Sequence, residues 1–77
     1  MKSIYSEEYK SIINKLKKAR LEIGLTQKEV SKILNKPQSY ISKIENGERR
    51  LDILELMELA EIYKKDLIYF INQNGKD

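Results

Sequence analysis

The stretch from Leu25 to Gly47, LTQKEVSKILNKPQSYISKIENG, constrains the fold more than any other part of this sequence. It has the pattern of two short amphipathic helices joined by a four-residue turn. The first helix is predicted over Thr26 to Leu34, because Thr26 and Glu29 stand three residues apart and can form a capping box. Three apolar residues at helical spacing predict its inward face: Val30, Ile33 and Leu34.

The second helix is predicted over Gln38 to Asn46 and ends at Gly47. Asn35 tolerates the left-handed conformation of a helix stop, and Pro37 suits the first position of a helix, where no N–H is needed. Ile41 and Ile44 form the inward pair. The opposite face carries no acid and consists of Ser39, Ser42, Lys43 and Asn46, with Gln38 and Tyr40 on its flanks.

This layout of two helices, with a polar outer face on the second, is typical of a helix-turn-helix, whose second helix lies in the DNA major groove. The segment TQKEVSKILNKPQSYISKIENG resembles the helix-turn-helix of the Cro and phage-repressor type, the bacterial family of xenobiotic-response-element regulators. The resemblance rests on the T-Q-x-E-hydrophobic start, the hydrophobic-x-x-hydrophobic-E-N-G end and their spacing, and it extends from about Leu16 to Ile71. It implies an all-α, five-helix lambda-repressor-like DNA-binding domain.

Length and composition bound the possible functions. Seventy-seven residues allow one domain, over residues 1–77, with one small core. The chain contains no cysteine and no histidine, so we expect no metal site, no cofactor and no histidine general base. The apolar runs are short and the N-terminus lacks an apolar signal-peptide core, which predicts a soluble, cytoplasmic protein with no membrane partner.

Charge is distributed unevenly along the chain. Residues 1–50 hold 12 Lys and Arg against 6 acids, whereas residues 51–77 hold 3 against 6, so the two parts carry +6 and −3. Solvated helix faces explain such charges about as well as a binding surface does, if charge is considered alone. Beside the helix-turn-helix pattern, the asymmetry favours one surface that faces a polyanion and another that faces away from it.

Three further helices complete the predicted fold. The first runs from about Ser6 to Ile23 and ends at Gly24. Its apolar residues recur at helical spacing, at Tyr9, Ile12, Ile13, Leu16, Ala19 and Ile23. Asp52 caps a fourth helix that runs to about Tyr63. Its predicted inward residues are Ile53, Leu56, Met57, Leu59, Ala60 and Tyr63, and Glu55, Glu58 and Glu61 line the other side.

A fifth helix is predicted from Leu67 to Asn72, with Asp66 as its cap. Five apolar or aromatic residues in succession are too many for the buried face of one short helix, so a partner is expected to cover some of them. The resembling family forms repressor dimers at this helix, which makes Leu67, Phe70 and Ile71 the candidate dimer interface. The alternative is that the helix only caps the core of its own chain.

The resemblance also assigns an ion pair. In the family, an arginine near the end of helix one pairs with the glutamate of the E-N-G segment, and the matching residues here are Arg20 and Glu45. Such a bidentate pair holds the second helix of the motif against helix one, so its expected role is structural.

Contacts to DNA follow from the same match. Gln38, Ser39 and Lys43 occupy the base-reading positions, with Ser42 as a further candidate. Tyr40 has three possible positions: against a phosphate, against a thymine methyl group, or packed on a neighbouring helix. The candidates for contacts to the DNA backbone are Gln27, Lys36, Asn46, Arg49 and Arg50. Gln27 and Asn46 match positions of the family, whereas the loop arginines are candidates mostly because of their charge and location.

These features together predict a sequence-specific regulator of transcription, of the repressor or controller type, that binds double-stranded DNA as a homodimer on a near-palindromic operator. No small-molecule effector is expected. The alternative is an antitoxin-type protein that neutralises a partner protein and binds DNA secondarily, although the short tail after Ile71 offers little chain to wrap a toxin. An enzyme is not expected, since no nucleophile and base pair or phosphate-binding loop is present.

Overall fold

A computed structural model describes residues 6–72 of the chain. Within this range the secondary structure consists of five helices: α1 (Glu7–Ile23), α2 (Gln27–Ile33), α3 (Ser39–Glu45), α4 (Ile53–Tyr63) and α5 (Leu67–Ile71). The predicted all-α, five-helix fold is therefore confirmed. The predicted boundaries differ slightly, because Thr26 and Gln38 precede their helices as caps while Leu34, Asn46 and Asn72 follow theirs.

Side-chain caps start three of the helices. Ser6 Oγ accepts a hydrogen bond from the Tyr9 N–H at 3.2 Å at the start of α1. At α2, Thr26 Oγ1 accepts from the Glu29 N–H at 3.0 Å, and the Glu29 carboxylate accepts from the Thr26 N–H at 2.8 Å. Asp52 and Glu55 form a second capping box at the start of α4. Each pair satisfies backbone N–H groups that have no acceptor within the helix.

Two non-glycine residues adopt the left-handed conformation. Asn35, with φ of 58°, follows the C-cap of α2 in the turn of the motif, as its tolerance of this conformation predicts. Five residues, 34–38, separate α2 from α3, because Leu34 and Gln38 lie outside the two helices, and Pro37 precedes the helix instead of starting it. Lys64, with φ of 60°, is the C-cap of α4.

The core lies where α1 packs against α3, α4 and α5, with α2 packed on α3. Phe70 and Leu16 are the largest fully buried side chains. The other buried apolar residues come from all of the first four helices: Ile13, Ala19, Val30, Tyr40, Ile41, Ile44, Leu56, Leu59, Ala60 and Tyr63. The predicted inward positions of α1 and α3 are therefore confirmed in the main.

One predicted inward residue of α2 is wrong. Ile33 is 57% exposed, whereas Ser31 is buried. Val30 and Leu34 pack on the core. At about 100° per residue, Ile33 and Ser31 lie on opposite sides of that face, and only the Ser31 side is covered. The Ser31 hydroxyl donates to the Gln38 carbonyl and accepts from the Ile41 N–H, both at 3.4 Å, which explains how a polar side chain occupies the core.

Two of the six predicted inward residues of α4 are wrong, and the other four are confirmed. Leu56, Leu59, Ala60 and Tyr63 fill the face that the core can accept, and Ile53 and Met57 lie outside it in solvent. The helix carries more apolar residues than one buried stripe can hold. Leu54, which the pattern did not place inward, is also exposed.

Phe70 corrects the predicted dimer interface. Its side chain is 0% exposed, and its ring packs edge-on against Tyr69 with 4.9 Å between centroids. A residue that is fully buried within one protomer has no surface to offer a partner. Leu67 is half-buried, and Ile71 is exposed.

The helices are short and contain charged residues along their length. α1 is the longest at 17 residues. No helix within residues 6–72 is long and apolar enough to cross a membrane. Over the same range, no group of three or more His, Cys, Asp and Glu side chains is arranged to hold a metal ion.

Candidate nucleic-acid interface

The inner face of α3 is anchored in the core, so its polar side faces solvent. Ile41 and Ile44 are each 1% exposed, which fixes the rotation of the helix about its axis. The opposite side leaves Gln38, Ser39, Lys43 and Asn46 in solvent, as the helical spacing predicts. Ser42 is half-buried, and its hydroxyl donates to the Ser39 carbonyl at 3.0 Å. Its oxygen can therefore still accept a hydrogen bond from a base edge.

A shallow groove separates the starts of α2 and α3. Its lining is polar or basic and includes no acid: Arg20, Thr26, Gln27, Lys28, Gln38, Ser39 and Ser42. The structure thus brings three of the candidate base-reading residues to the same groove as Gln27, a candidate for the DNA backbone. Lys43 and Asn46 lie further along α3.

Arg20 and Glu45 lie beneath this groove and contact each other directly. Arg20 Nε donates to Glu45 Oε2 at 2.8 Å and Arg20 Nη2 to Glu45 Oε1 at 3.1 Å, while Nη1 donates to the Leu25 carbonyl at 2.9 Å. The two side chains are 7% and 3% exposed. The hydrogen bonds to Glu45 raise the pKa of Arg20, although burial opposes the shift. The pair joins α1 to α3 and neutralises Glu45, which is the one acid within α3.

Gln27 belongs to the same cluster. Its Nε2 donates to Glu45 Oε1 at 2.8 Å, so the amide helps to hold Glu45. A primary amide has two N–H bonds, and one of them remains for a phosphate. The side chain is half-buried, which limits the directions from which DNA can approach it.

Tyr40 does not lie on the exposed face. It is 6% exposed, and its hydroxyl is buried without a hydrogen-bond partner among the described residues. Burial, together with the negative charge of Glu55, raises the pKa of the phenol to about 12. Lys36 Nζ lies 5.3 Å and the Arg49 guanidinium 4.9 Å from the ring centroid, within the range of cation–π contacts. Of its three possible positions, the structure shows the packed one.

Arg49 lies partly exposed at the surface and binds Glu55. Its Nη1 donates to Glu55 Oε1 at 3.0 Å and to the Arg50 carbonyl at 3.1 Å, and Nη2 donates to Glu55 Oε2 at 2.7 Å. These hydrogen bonds from Arg49 lower the pKa of Glu55 to about 2. Three of the five N–H bonds of the guanidinium are thus used, and the side chain is still 38% exposed, so the contact of Arg49 with a phosphate stays a prediction. Lys36 and Arg50 are exposed.

Comparison with known proteins identifies the family. The model of the helix-turn-helix family matches residues 16–70, well over half of the chain. The chain belongs to this helix-turn-helix family. It is also 35% identical over 69 residues to the uncharacterized HTH-type transcriptional regulator YqaF of Bacillus subtilis, with 80% of this chain and 91% of that protein covered. The predicted likeness to the Cro and phage-repressor type is thereby confirmed.

A second relative is a far longer protein. The chain is 37% identical over 75 residues to the glutamine–fructose-6-phosphate aminotransferase (isomerizing) of Methanocaldococcus jannaschii. The match covers 92% of this chain but only 6% of that protein. The likeness is therefore confined to one segment, and the helix-turn-helix family points to a DNA-binding regulator instead of an enzyme.

Sequence reasoning missed one residue of the helix-turn-helix surface. Lys28 is exposed in the first turn of α2 and lines the groove beside Gln27 and Gln38. It also lines a second depression with Lys32 and Lys36, next to the turn of the motif. The signal was the spacing of these lysines at four residues, which places them on one side of α2 and the turn.

Proposed function

We propose that this helix-turn-helix protein regulates transcription, as a repressor or controller, by binding a near-palindromic operator in double-stranded DNA as a homodimer. The observation that carries the proposal is the acid-free outer face of α3, exposed next to the groove at the start of α2. Gln38 can bridge the N6 and N7 atoms of adenine, Lys43 can donate to guanine O6 or N7, and Ser39 can meet either purine.

Backbone contacts come from the residues around this face. Lys28, Lys36 and Arg50 are exposed cations near the ends of α2 and α3, and Asn46 is an exposed amide at the end of α3. Contacts of this kind set the register of the protein on the duplex without reading its sequence. Gln27, whose amide also binds Glu45, can donate its remaining N–H to a phosphate.

The length of α3 supports a dimer. Seven residues extend only about 10 Å along a helix axis, which is enough to read a few base pairs. Two copies related by a two-fold axis read two half-sites about 34 Å apart, and the operator then has the symmetry of the protein.

The direct test is selection of bound sequences from a random duplex pool. The expected result is a consensus with two-fold symmetry and half-sites about 10 base pairs apart. Enrichment of a single unrepeated half-site would contradict the homodimer, and no enrichment over random duplex would contradict sequence-specific binding.

A matched pair of lysine variants tests the division between base and backbone contacts. Lys43→Ala is expected to relax the base preference at one position of each half-site. It is also expected to weaken binding to the consensus duplex by about 1–3 kcal/mol. Lys36→Ala is expected to weaken consensus and random duplex by similar factors. Equal losses on both duplexes for Lys43→Ala would show that this residue does not read bases.

A further inference from the structure

The start of α3 has no side-chain cap of its own. Gln38 stands at the N-cap position, but its backbone is helical, with φ of −55° and ψ of −33°, and its side chain makes no capping hydrogen bond. At the starts of α2 and α4, in contrast, the side chains of Thr26 and Asp52 accept from the N–H of the third helical residue. The first N–H groups of α3 therefore need an acceptor from elsewhere in the chain.

Ser31 of α2 lies buried next to this uncapped start. Its side chain is 1% exposed, and α2 packs directly on α3. Burial of a hydroxyl group costs free energy unless the group has hydrogen-bond partners. The partners of the Ser31 hydroxyl lie across the turn of the motif, at the start of α3.

Ser31 supplies the acceptor that α3 lacks. Its Oγ accepts a hydrogen bond from the Ile41 N–H at 3.4 Å, and Ile41 is the third residue of α3. The same hydroxyl donates to the Gln38 carbonyl at 3.4 Å, and the Ser31 carbonyl accepts from the Lys36 N–H at 2.9 Å. The two hydroxyl contacts are at the long end of the hydrogen-bond range. With the backbone bond, they join one residue of α2 to the turn and to the first turn of α3.

These contacts hold the end of α3 that carries two candidate base-reading residues. Gln38 contributes the carbonyl that the Ser31 hydroxyl binds, and Ser39 follows it. The side chains of Gln38 and Ser39 are both exposed, on the groove at the starts of α2 and α3. The position of these side chains relative to a base edge therefore depends on how firmly the first turn is held.

The other end of α3 is held by different contacts. Glu45, its last residue, pairs with Arg20 of α1 at 2.8 Å. Lys43 lies in the last turn, close to this pair. Loss of the Ser31 contacts should therefore loosen the start of α3 while Lys43 stays in place.

We propose that Ser31 is a positioning residue for base recognition, because it caps α3 from α2 and so fixes Gln38 and Ser39 relative to the base edges. Its side chain is too buried to touch DNA, so it acts through these two residues. Helix ends fray without such contacts, and hydrogen bonds to bases weaken steeply when they are misaligned. The proposal rests on the DNA-binding function proposed above and adds a determinant of its specificity.

A role in stability alone is the rival explanation. A residue that only stabilises the fold changes the fraction of folded protein, so its loss weakens binding to every duplex by the same factor. A positioning residue changes the ratio of the affinities for the consensus and for a random duplex. Random binding depends on phosphate contacts, which the start of α3 does not provide through Gln38 or Ser39. This ratio therefore separates the two roles.

The experiment compares Ser31→Ala with the original whole chain by fluorescence anisotropy. The probes are a random duplex and the consensus duplex that the original chain selects from the random pool. Binding to the consensus duplex is expected to weaken by about threefold or more for each half-site, the contribution of one net hydrogen bond. Binding to the random duplex is expected to stay unchanged. Equal losses on both duplexes, or no loss on either, overturn the positioning role.

The matched control removes a hydroxyl group from another helix. Ser11→Ala changes a half-buried serine of α1 and is expected to leave both affinities unchanged. Alanine favours a helix, so both variants should fold, and urea unfolding checks this under the conditions of the binding assay.

A double-mutant cycle tests whether Ser31 acts through Gln38. Ser31→Ala is expected to weaken consensus binding much less in the Gln38→Ala background, because the side chain that it positions is already absent. With Lys43→Ala, the two losses are expected to multiply, since Lys43 lies at the other end of the helix. Losses that multiply fully in both combinations overturn the proposal.

Amide hydrogen exchange, followed by NMR in the absence of DNA, tests the cap itself. In Ser31→Ala, the Ile41 N–H is expected to exchange faster relative to the Ile44 N–H, which lies further along α3. Equal acceleration at both residues would indicate general destabilisation and would overturn the cap.

The outcomes separate this inference from the proposed function. A chain that selects a consensus, and whose Ser31→Ala variant keeps the same ratio of consensus to random affinity, overturns the role of Ser31 and leaves the DNA-binding function standing. A chain that selects no consensus overturns both proposals.

Discussion

Lys64 shows how one backbone conformation can limit stability. It ends α4 with φ of 60°, in a region that L-residues occupy at a cost of roughly 1–2 kcal/mol. Glycine has no Cβ and adopts this conformation without that strain, although the unfolded chain gains freedom. Lys64→Gly is therefore expected to raise the free energy of unfolding by about 0.5–1 kcal/mol, measured by urea denaturation.

The matched control is Lys64→Ala. Alanine keeps the Cβ and the strain while removing the charged side chain. We expect no gain in the free energy of unfolding from this variant. A gain equal to that of Lys64→Gly would mean that the lysine side chain, and not the backbone, limits stability.

Glu55 makes stability depend on pH in the acidic range. Its pKa is lowered from 4.5 to about 2, mainly by the hydrogen bonds from Arg49. A carboxyl group whose folded pKa is depressed stabilises the fold above its unfolded pKa, and this contribution is lost as the pH falls through the folded value. The contribution of Glu55 is therefore complete above about pH 5 and disappears by about pH 2.

Glu55→Gln isolates this contribution, because glutamine can still complete the capping box with Asp52. We expect the variant to be less stable than the original chain by about 1 kcal/mol at pH 7, since the Arg49 side of the pair is partly exposed. The difference should shrink to zero between pH 5 and pH 2 in urea unfolding. A difference that does not change with pH would contradict the ion pair as its cause.

At the scale of the elements, the helices could be predicted and the extent of their buried faces could not. Caps such as Thr26 with Glu29, and Asp52, marked the starts of α2 and α4. Periodicity gives the direction of an apolar face but not how much of it the neighbouring helices cover. Ile33 and Met57 had the right spacing and lie in solvent, because a small core was already filled.

In the candidate site, too, some positions could be predicted from sequence and others could not. The polar face of α3 followed from Ile41 and Ile44, which occupy its inner side. The positions of Arg49 and Tyr40 could not be predicted from sequence. Arg49 binds Glu55 of α4, and its guanidinium then lies over the Tyr40 ring, so both positions depend on how α4 packs. Charge and location indicated DNA for Arg49, but they could not show that Glu55 also binds its guanidinium in a bidentate pair.

Arg20 connects elements that have few other polar links. Arg20→Ala is expected to lower the free energy of unfolding by about 3–5 kcal/mol, because it leaves the Glu45 carboxylate buried with Gln27 as its one side-chain partner among residues 6–72. Urea or thermal unfolding measures the loss. Lys17→Ala, at an exposed lysine of the same helix, is the control and should change stability by less than about 0.5 kcal/mol.

Replacement of both partners separates a structural ion pair from simple packing. Arg20→Met with Glu45→Met removes both charges and retains apolar volume, and such replacements are often neutral. The double variant is expected to recover much of the stability that Arg20→Ala loses. If the double variant is as unstable as Arg20→Ala, an unpaired Glu45 charge is not the reason for the loss.

At the scale of the whole molecule, the charge asymmetry gives the protein two different sides. The first 50 residues carry +6 and the remaining 27 carry −3. The structure uses part of the positive charge internally, in Arg20 with Glu45, Arg49 with Glu55 and Lys65 with Glu22. The cations that remain around α2 and α3 are mainly exposed lysines. Affinity for DNA should therefore depend on lysines that have no acidic partner, and weakly on paired cations.

Salt dependence tests this distribution, because each neutralised phosphate contributes a slope of about −0.9 to the logarithm of affinity against the logarithm of salt concentration. Lys36→Ala removes one exposed lysine from each protomer, so the slope for a two-fold operator is expected to become shallower by about 2. Lys65→Ala is the matched control, since Lys65 pairs with Glu22 at 3.0 Å, and its slope should match that of the original chain. Fluorescence anisotropy of a labelled duplex at several salt concentrations measures both. Equal slopes for the original chain and Lys36→Ala would remove this lysine from the DNA contact, and a shallower slope for Lys65→Ala would show that DNA also reaches the side where α4 meets α5.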